Sequence, residues 1–381
     1  MRILHVTTGL TTGGAEIMLL KLLSANNGVW ESAVVSLMDE GTIGSKIAAL
    51  GIPVHSLGLR RGRPNPVSVL SLKSIARQFQ PQLIQGWMYH GNLGASLASV
   101  SMQGRVPVLW SIRQSLYDIT RERRLTRAMI RLGAFFSWHP ANIIYNSQIS
   151  ARQHELFGFR TSKSVVIPNG FDSQLFRPDS QARHQIRREL GVGMDAILVG
   201  LIARLHSVKD HSGFLRSAAF VTRVHPSVYF VLAGSGVNKE ESALRSLIAE
   251  HRLEGRTFLL GERSDIPKLT AALDIACSTS LGEGFSNAIG EAMACGVPCV
   301  VTDVGDSAYV VADAGLLVPP RDPEALAQAI DHLVDAGPEQ RRQLGVAARR
   351  RIQTEFSLPT IAHRYEDLYR EHVGTALYTK C

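Results

Sequence analysis

The chain has 381 residues, 45% hydrophobic and only 19% charged, which is enough apolar material for large cores and too many residues for a single one. This composition excludes a largely disordered protein, and the scattered Gly and Pro residues exclude a collagen or a low-complexity linker. The net charge of +8 is uneven, because residues 1–175 carry 18 Lys and Arg against 8 Asp and Glu, whereas the remainder has a net charge of −2. A basic half predicts an anionic neighbour, either membrane headgroups or nucleic acid.

The sequence offers no signal for a membrane span, a secretory leader or a disulfide framework. No uncharged apolar run reaches the roughly 18 residues that a membrane helix needs. The cysteines form no CxxC pair and no His cluster accompanies them, so we expect reduced thiols and no zinc site. They are Cys277, Cys295, Cys299 and Cys381. We therefore expect a cytoplasmic protein.

Short β-branched runs alternate with helical stretches along the whole chain, which predicts the α/β class with parallel sheets. Seven strands are predicted in the first half, at 3–8, 33–37, 54–57, 83–87, 106–112, 142–146 and 165–167. Six more follow the polar stretch 172–193, at 197–202, 228–232, 258–260, 275–278, 299–301 and 316–318. We predict two Rossmann-like, doubly wound domains, residues 1–180 and 181–381, that face each other across a cleft.

A glycine-rich turn follows the first predicted strand, in the segment TTGLTTGGAE. Gly13 and Gly14 stand where such a turn delivers a helix N-terminus, and backbone amides at that place can bind a phosphate. The spacing is not the GxGxxG of dinucleotide-binding proteins, so an NAD enzyme loses its main support. A plain strand-to-helix turn is the alternative.

The densest basic segment lies between Arg113 and Arg131. Five arginines alternate there with apolar residues, and an aromatic group follows: Arg121, Arg123, Arg124, Arg127 and Arg131, then Phe135, Phe136 and Trp138. This pattern is typical of a helix that lies in a membrane interface. The alternative is a solvated basic face on an ordinary core helix.

Two cations follow the first predicted strand of the second half. Arg204 comes at the end of the strand and Lys209 five residues later. Arg can chelate two oxygens and Lys acts as a mobile point charge, so the pair can clamp a diphosphate from both sides.

The segment EGFSNAIGEAMACGVP, residues 283–298, is the most informative in the chain. Ser286 or Asn287 can cap a helix that ends before Gly296 and Pro298. Glu283 then precedes the helix and Glu291 lies within its first two turns, so two carboxylates and a helix N-terminus come together. This combination predicts a site for a sugar attached to a diphosphate. The alternative is a Glu291 that only favours the helix dipole and a solvated Glu283.

These motifs resemble family 4 of the retaining glycosyltransferases, which have the GT-B fold. The resemblance implies that the first domain binds the acceptor, that the second binds the nucleotide sugar, and that the last helix can cross back to the first domain. The family hallmark is Glu, seven residues, Glu, matched here by Glu283 and Glu291. The resemblance covers nearly the whole chain and includes TTGGAE, IPNGFD at 167–172, the Arg204–Lys209 element, LAGSG at 232–236 and GLLVPPRDPEALAQAI at 315–330.

The resemblance implies transfer of a hexose from a nucleoside diphosphate sugar with retained anomeric configuration. UDP-hexose, for example UDP-glucose, is the expected donor. Arg204 and Lys209 would hold the diphosphate, Glu291 the ribose, and Glu283 the donor sugar. Gly284 and the amides of Phe285, Ser286 and Asn287 would lie beside sugar and phosphate. Gly13 and Gly14 would approach the phosphates, and Arg263 would border the base.

Arg204, Lys209 and the helix amides are aimed at the charge that the leaving diphosphate gains. The sequence has no Asp-x-Asp of the metal-dependent type, so we expect no metal and no cofactor. In the family the departing phosphate takes the acceptor proton, which makes Glu283 a poor candidate for a covalent nucleophile.

The chain departs from the family at one place. The family often has His-x-His after the fourth strand, where this chain has Gln85 and Trp87. His90 follows on an expected Gly-flanked loop, where it is predicted to be catalytic, with a structural His as the alternative.

The expected acceptor is a lipid-linked saccharide or a polysaccharide precursor, with the basic half at an anionic membrane surface and the protein peripheral at the inner face. Two further functions fit the same architecture: a nucleotide-sugar epimerase or hydrolase, and a nucleotide-sugar-binding protein without catalysis. We expect no nucleic acid, because the sequence lacks a recognition motif for it.

Overall fold

The computed structural model describes residues 1–26, 28–59, 65–117, 119–121 and 124–378. The chain forms two compact units. Unit 1 comprises Met1–Gly170 and Leu358–Cys381, and unit 2 comprises Phe171–Ser357. The last helix therefore belongs to unit 1 although it follows unit 2 in the sequence.

Unit 1 contains a seven-stranded parallel sheet in the order β3-β2-β1-β4-β5-β6-β7. Its strands are β1 (Arg2–Thr7), β2 (Glu31–Ser36), β3 (Val54–Ser56), β4 (Leu83–Trp87), β5 (Val108–Ile112), β6 (Asn142–Tyr145) and β7 (Ser164–Val166). Its helices are α1 (Gly14–Ser24), α2 (Gly41–Ala48), α3 (Pro66–Phe79), α4 (Met88–Ser101), α5 (Arg124–Phe136), α6 (Gln148–Leu156) and α15 (Leu358–Tyr378).

Helices cover both faces of this sheet. One core contains residues of α1, α2 and α15, and the other contains residues of α3, α4, α5 and α6. The central strands are buried on both sides, which is why they appear in the sequence as continuous β-branched runs rather than as alternating ones.

Helix α15 is fixed to the sheet of unit 1 by aromatic and polar contacts. The Tyr365 ring stacks on Trp87 at 6.4 Å, and the Tyr369 hydroxyl donates to the Gln85 side-chain carbonyl. Arg113 donates to the Tyr365 hydroxyl at 2.7 Å and lies over the Trp87 ring. Gln85 and Trp87 therefore serve in this core contact, at the positions where the resemblance led us to expect histidines.

Unit 2 contains a six-stranded parallel sheet in the order β10-β9-β8-β11-β12-β13. Its strands are β8 (Ile197–Ile202), β9 (Val228–Ala233), β10 (Thr257–Leu259), β11 (Ile275–Ser278), β12 (Cys299–Thr302) and β13 (Gly315–Val318). Its helices are α7 (Ser180–Leu190), α8 (His211–Val224), α9 (Ser242–Glu250), α10 (Ile266–Ala271), α11 (Asn287–Ala294), α12 (Ser307–Val311), α13 (Pro323–Asp335) and α14 (Gly337–Glu355). The prediction of two doubly wound α/β units is confirmed, and each predicted strand overlaps an observed one.

The polar stretch that we interpreted as the domain boundary is part of unit 2, and the first crossing between the units lies at Gly170 rather than at residue 180. Charged residues of α7 in this stretch are used inside the unit. Arg183 and Arg187 both pair with Asp274, and the Arg187 side chain is only 1% exposed. Burial lowers the pKa of Arg187, while the charge of Asp274 opposes this. The charge-rich segment has the composition of a linker, and Asp274, the carboxylate that pairs with its arginines, lies far away in the sequence.

The described cysteines Cys277, Cys295 and Cys299 are free and buried. Burial raises the pKa of each thiol, so they are unreactive apolar side chains at neutral pH. Cys381 lies outside the described residues. Among the helices that the structure describes, none is both long and apolar enough to cross a bilayer.

Two buried histidines make the stability of unit 1 depend on pH. His154 donates from Nδ1 to the Ser150 carbonyl at 2.7 Å and accepts at Nε2 from the Tyr89 hydroxyl at 2.8 Å. Burial lowers the pKa of His154 to about 4 and that of His5 to about 3. The unfolded chain therefore binds protons below pH 6.5 that the folded chain does not.

We expect the free energy of unfolding of unit 1 to fall as the pH is lowered from 6.5 towards 4, by up to about 1.4 kcal/mol per pH unit for each histidine. Urea unfolding at a series of pH values measures this slope. His154→Gln should flatten it, whereas the same change at the exposed His55 should not. A slope that is equal in both variants would contradict the assignment to His154.

Candidate functional site

Most of the predicted site residues of each unit follow the two strands at which the strand order reverses, whereas Arg263 follows the edge strand β10. In unit 2, β8 leads to Arg204 and Lys209, and the neighbouring β11 leads to Glu283. In unit 1, β1 leads to Gly13 and the neighbouring β4 leads to His90. Parallel strands end at the same edge of a sheet, and ligands of doubly wound sheets bind at this reversal point.

Lys209 and Glu283 are in direct contact in unit 2. Lys209, the last residue of a 3₁₀ turn, forms an ion pair through Nζ with Glu283 Oε1. The Ser280 hydroxyl donates to the same oxygen at 2.7 Å. Both charged side chains are partly buried, 25% and 13% exposed, so the pair is shielded from water on most sides. The tertiary structure thus brings together a cation and a carboxylate 74 residues apart.

Two neighbouring segments hold the loop that carries Glu283, one after β8 and one after β12. The Leu281 amide donates to the Val208 carbonyl at 2.7 Å, and the Thr279 hydroxyl donates to the Lys209 carbonyl at 2.7 Å. On the other side, the Asp306 amide donates to the Gly284 carbonyl at 3.2 Å. Gly305 has φ +60°, and a Cβ there would collide with the Glu283 carbonyl. These contacts fix the backbone of the loop before any ligand arrives.

Sequence reasoning missed Ser280, Thr279 and Gly305. Ser280 and Thr279 are small polar residues after β11, which is too common a pattern to single out. Gly305 follows β12 in the segment TDVGD. A glycine in the short loop after a strand is a signal for a close backbone approach, and it could have been used here.

Arg204 lies two residues beyond the end of β8 rather than at the strand end. Its side chain is exposed, and it has no hydrogen bond or ion pair to any of the described residues. The preceding Ala203 carbonyl is close to His211 Nε2, at 3.3 Å, at the start of α8. The backbone is therefore anchored while the guanidinium stays available to a ligand.

Helix α11 begins after Ser286, which has an extended conformation and makes no side-chain capping bond. Its positive N-terminal end therefore points to the loop of Glu283. Asn287 is the first residue of the helix and Glu291 lies one turn further, both partly buried. The Phe285 ring is buried, so only its backbone is available to a ligand.

An aromatic cluster anchors Phe285 and α11. The Phe285 ring stacks on Phe171 at 6.0 Å and contacts Phe356 at 5.9 Å. Phe171 also donates its amide to the Phe356 carbonyl at 2.9 Å. A Cβ on Gly290 of α11 would overlap the Phe171 ring. Phe171 and Phe356 lie next to the two points at which the chain passes between the units.

Arg263 is engaged on both sides. It forms a bidentate ion pair with Asp265 at 2.8 Å, and it also pairs with Glu189 at 2.5 Å. Hydrogen bonds to Asp265 and Glu189 raise the pKa of Arg263. A base contact by this guanidinium would have to compete with two carboxylates, because the structure uses Arg263 to attach its loop to α7.

In unit 1, Gly13 precedes α1 with extended backbone and Gly14 begins the helix. A Cβ on Gly13 would meet the carboxylate of Glu16, whereas a Cβ on Gly14 would have nothing within 4 Å. Burial raises the pKa of Glu16. The Glu16 carboxylate beside Gly13 disfavours an anion there. The space around Gly14 is open, so Gly14 is the better of the two positions for an anion.

His90 is not on a loop, as we expected, but in the first turn of α4. Helix α4 follows β4 directly and packs against β1, where a Cβ on Gly91 would collide with the Val6 carbonyl. The glycines that suggested a loop thus permit close packing instead. His90 is half-buried, and burial lowers its pKa, so the imidazole is neutral at pH 7.

No group of three or more His, Cys, Asp or Glu side chains suited to a metal ion occurs within the described part of the chain.

Comparison with known proteins finds similarity to glycosyltransferases in both halves of the chain. The family model for Glycosyl transferases group 1 matches residues 196–336, and that for Glycosyltransferase Family 4 matches residues 12–175. The solved structure of HepE from Anabaena in complex with UDP is 25% identical, with a TM-score of 0.84 over 97% of this chain and 100% of that chain. The same protein in complex with UDP-glucose gives a TM-score of 0.82.

Two curated relatives are D-inositol 3-phosphate glycosyltransferases. That of Saccharomonospora viridis is 31% identical over 252 residues, 62% of this chain and 57% of the relative. That of Mycobacterium bovis is 33% identical over 239 residues, 61% of this chain and 49% of the relative. The similarity thus spans about half the length of these relatives.

We expect Gly290→Ala to destabilise unit 2 by about 1–3 kcal/mol, because the new methyl group must displace the Phe171 ring. Gly193→Ala is the matched control, since a Cβ there would have nothing within 4 Å. Adding Phe171→Leu should make the double variant less destabilised than the sum of the single ones. Urea unfolding measures all four proteins, and strictly additive effects would show that Gly290 and Phe171 are not coupled.

Proposed function

We propose that this chain, which belongs to the glycosyltransferases of the GT-B fold, is a retaining enzyme that transfers a hexose from a UDP-hexose to a saccharide acceptor. The observation that carries the donor half of this proposal is the arrangement at the reversal point of unit 2. An unengaged Arg204, the Lys209–Glu283 pair and the N-terminus of α11 follow adjacent strands there. Cations and a helix N-terminus suit a diphosphate, and a carboxylate suits sugar hydroxyls.

We propose that donor binding exchanges partners at this site. Lys209 would leave Glu283 for the diphosphate, and the released Glu283 oxygen would accept hydrogen bonds from the sugar hydroxyls. Ser280 would keep the carboxylate in place during this exchange, since it donates to the same oxygen as Lys209. The paired state shields both charges while the site is empty, which limits the cost of holding them partly buried.

Arg204 and Lys209 would act mainly in the transition state. As the bond from the anomeric carbon to the diphosphate oxygen breaks, negative charge develops on the leaving group. Fixed cations next to this oxygen stabilise the charge, and removal of one such donor typically costs about 10²–10³ in turnover. The departing phosphate would accept the proton of the attacking hydroxyl on the same face of the sugar, which retains the anomeric configuration without a protein nucleophile.

In unit 1, we propose donor contacts for Gly14 and His90, as the resemblance implies. A Cβ on Gly14 would meet no atom of the described residues within 4 Å, so packing does not require glycine at this position. Close approach of a phosphate would require it, because a side chain would block that approach. A neutral His90 in the first turn of α4 could donate or accept a hydrogen bond at the sugar. We keep the donor contacts that the resemblance implies for five further residues: Gly13, Gly284, Ser286, Asn287 and Glu291. Arg263 is the weakest of the proposed contacts, because it is already paired with Asp265 and Glu189.

UDP and glucose are the preferred donor components, because HepE has been solved with UDP and with UDP-glucose. The proposed acceptor is a lipid-linked saccharide or a polysaccharide precursor. We also propose a reaction without metal or cofactor, since Arg204, Lys209 and the α11 N-terminus supply positive charge where a metal would otherwise do so.

Glu283→Gln and Glu291→Gln should separate sugar recognition from nucleotide recognition. Glu283→Gln should lower turnover by about 10²-fold or more. Its UDP affinity should be unchanged or higher, because Lys209 loses its competing partner. Glu291→Gln should weaken UDP itself by about tenfold, since a charged hydrogen bond to ribose is lost. Calorimetry with UDP together with steady-state rates measures both, and an equal loss of UDP affinity in the two variants would refute the assignment.

Calorimetric titration with UDP, GDP, ADP and their hexose conjugates in EDTA, with detection of released nucleotide and free hexose, tests the class of reaction. Metal-free binding of a UDP-hexose with turnover that requires an acceptor is expected. Hexose release or rearrangement without acceptor would instead indicate a hydrolase or epimerase. Absence of binding to every nucleotide would contradict the proposed function.

A further inference from the structure

The surface of unit 1 concentrates exposed apolar side chains on one side of its sheet. Twenty large apolar side chains are exposed among the described residues, and ten of them lie on α3, α4, α5 and the turn after α5. These are Val67, Val69, Leu70, Leu97, Val100, Leu125, Leu132, Phe135, Phe136 and Trp138. The three helices are neighbours that cover the same face of the sheet. A concentration of this kind marks an interaction surface.

Helix α5 carries the largest of these side chains. Only a narrow stripe faces inward, where Ile130 is buried in the core and Gly133 lies against the Phe159 ring. On the outer side, Phe135 is 73% exposed and Trp138, just beyond the helix, is 55% exposed. Aromatic side chains exposed to this degree lose favourable burial unless something covers them.

The outer side of α5 has two sectors, because consecutive helical residues are rotated by about 100°. The arginines Arg124, Arg127 and Arg131 share one sector, and the apolar sector next to it contains Leu125, Leu132, Phe135 and Phe136. None of these arginines forms an ion pair with a described residue, and no Asp or Glu occurs from 124 to 141. Of the other arginines that we singled out in this segment, Arg123 and the side chain of Arg121 lie outside what the structure describes.

We propose that the exposed side of α5, together with Trp138, docks on an anionic membrane surface. The apolar sector would enter the boundary between headgroups and acyl chains, and the adjacent arginines would reach the phosphate groups along the edge of the helix. The net charge of +10 over residues 1–175 attracts the unit to such a surface before contact. The inference is independent of the proposed catalytic function, because it rests on a surface that contains none of the proposed site residues.

A lipid surface explains the pattern better than a second protein does. A protein interface usually has an apolar centre that is depleted of charged residues, and a polar rim that surrounds this centre. Here an entire helical sector is cationic beside an entire apolar sector, with aromatic residues at one end. Anionic headgroups next to hydrocarbon present the complementary arrangement.

The chain provides a built-in reporter for this surface. Of its four tryptophans, Trp30, Trp87 and Trp110 are buried, and Trp138 alone is exposed. Vesicles containing brominated acyl chains should therefore quench Trp138 selectively. Trp138→Phe should abolish most of this quenching while the protein still binds to the vesicles.

The experiment is sedimentation of the full chain with vesicles of phosphatidylcholine, with and without about a third phosphatidylglycerol, in the absence of donor and acceptor. We expect binding to the anionic vesicles that falls at least tenfold between about 0.05 M and 0.5 M salt, because salt screens the arginine contribution. Each basic residue near an anionic surface strengthens binding by about fivefold, so Arg124→Gln with Arg131→Gln should weaken it by about 25-fold. Phe135→Ser with Trp138→Ser should weaken it by about tenfold or more.

Matched controls change equally exposed residues elsewhere. Arg245→Gln with Arg350→Gln removes two exposed arginines of unit 2, and Leu156→Ser with Val346→Ser removes two exposed apolar side chains. The Leu156 and Val346 changes should leave vesicle binding within about twofold, and thermal unfolding verifies that every variant is folded. Since UDP binding is measured separately, loss of vesicle binding is distinguishable from failure of the proposed function.

Three results would overturn the proposal. The first is absence of binding to anionic vesicles at low salt, or equal losses in the α5 and control variants. The second is a concentration-dependent dimer that Phe135→Ser with Trp138→Ser dissociates, which would make this face an interface between copies of the chain. The third is tighter binding to an oligonucleotide than to the vesicles, which would identify a nucleic-acid surface.

Discussion

Parallel pairing of β8 with β11 is the constraint on which the proposed donor site depends. After β8 the chain continues into one half of the sheet of unit 2, and after β11 it continues into the other half. No crossover helix therefore covers the point between the carboxyl ends of these two strands. The loop after β8 and the loop after β11 therefore meet at an open edge. Pairing of β1 with β4 creates the same condition in unit 1. Each unit thus collects residues from distant parts of the sequence at one place.

At this edge in unit 2, the structure favours a prepared site over a flexible one. The loop of Glu283 is hydrogen-bonded to the loops after β8 and β12, and its Phe285 ring is fixed in the core by Phe171 and Phe356. The side chains at the centre differ in how they are held. Glu283 is constrained by Lys209 and Ser280, whereas Arg204 projects into solvent. Such a division suits the proposed reaction, in which the backbone and the carboxylate would define the position of the sugar and the unengaged guanidinium would be available to the diphosphate.

The two faces of the unit 1 sheet are covered by helices that differ in their outer surfaces. On one face, α15 returns from the end of the chain and seals the core through Tyr365 and Tyr369. The other face carries α3, α4 and α5, which pack inward but leave an apolar and cationic outer surface. Those exposed side chains add little to the packing of the unit. The membrane surface that we propose as their partner would also suit the proposed lipid-linked acceptor.

The amino-acid sequence determined the local features of this protein. Short β-branched runs marked all the strands, since a strand buried on both faces must be apolar along its length. The segment around Glu283 and Glu291 was visible because a capped helix, two carboxylates and several glycines lie within a few residues of one another. The tertiary structure decided everything that depends on distant partners. Arg263 is occupied by Glu189, Lys209 by Glu283, and Arg187 by Asp274, and each of these pairs joins residues more than 70 positions apart. His90 lies in a helix because Gly91 allows contact with β1, and α15 belongs to unit 1 because Trp87 and Gln85 bind its tyrosines. Periodicity and spacing describe neighbours along the chain, and they contain no information on which distant side chain will satisfy a charge, a hydrogen bond or an exposed ring.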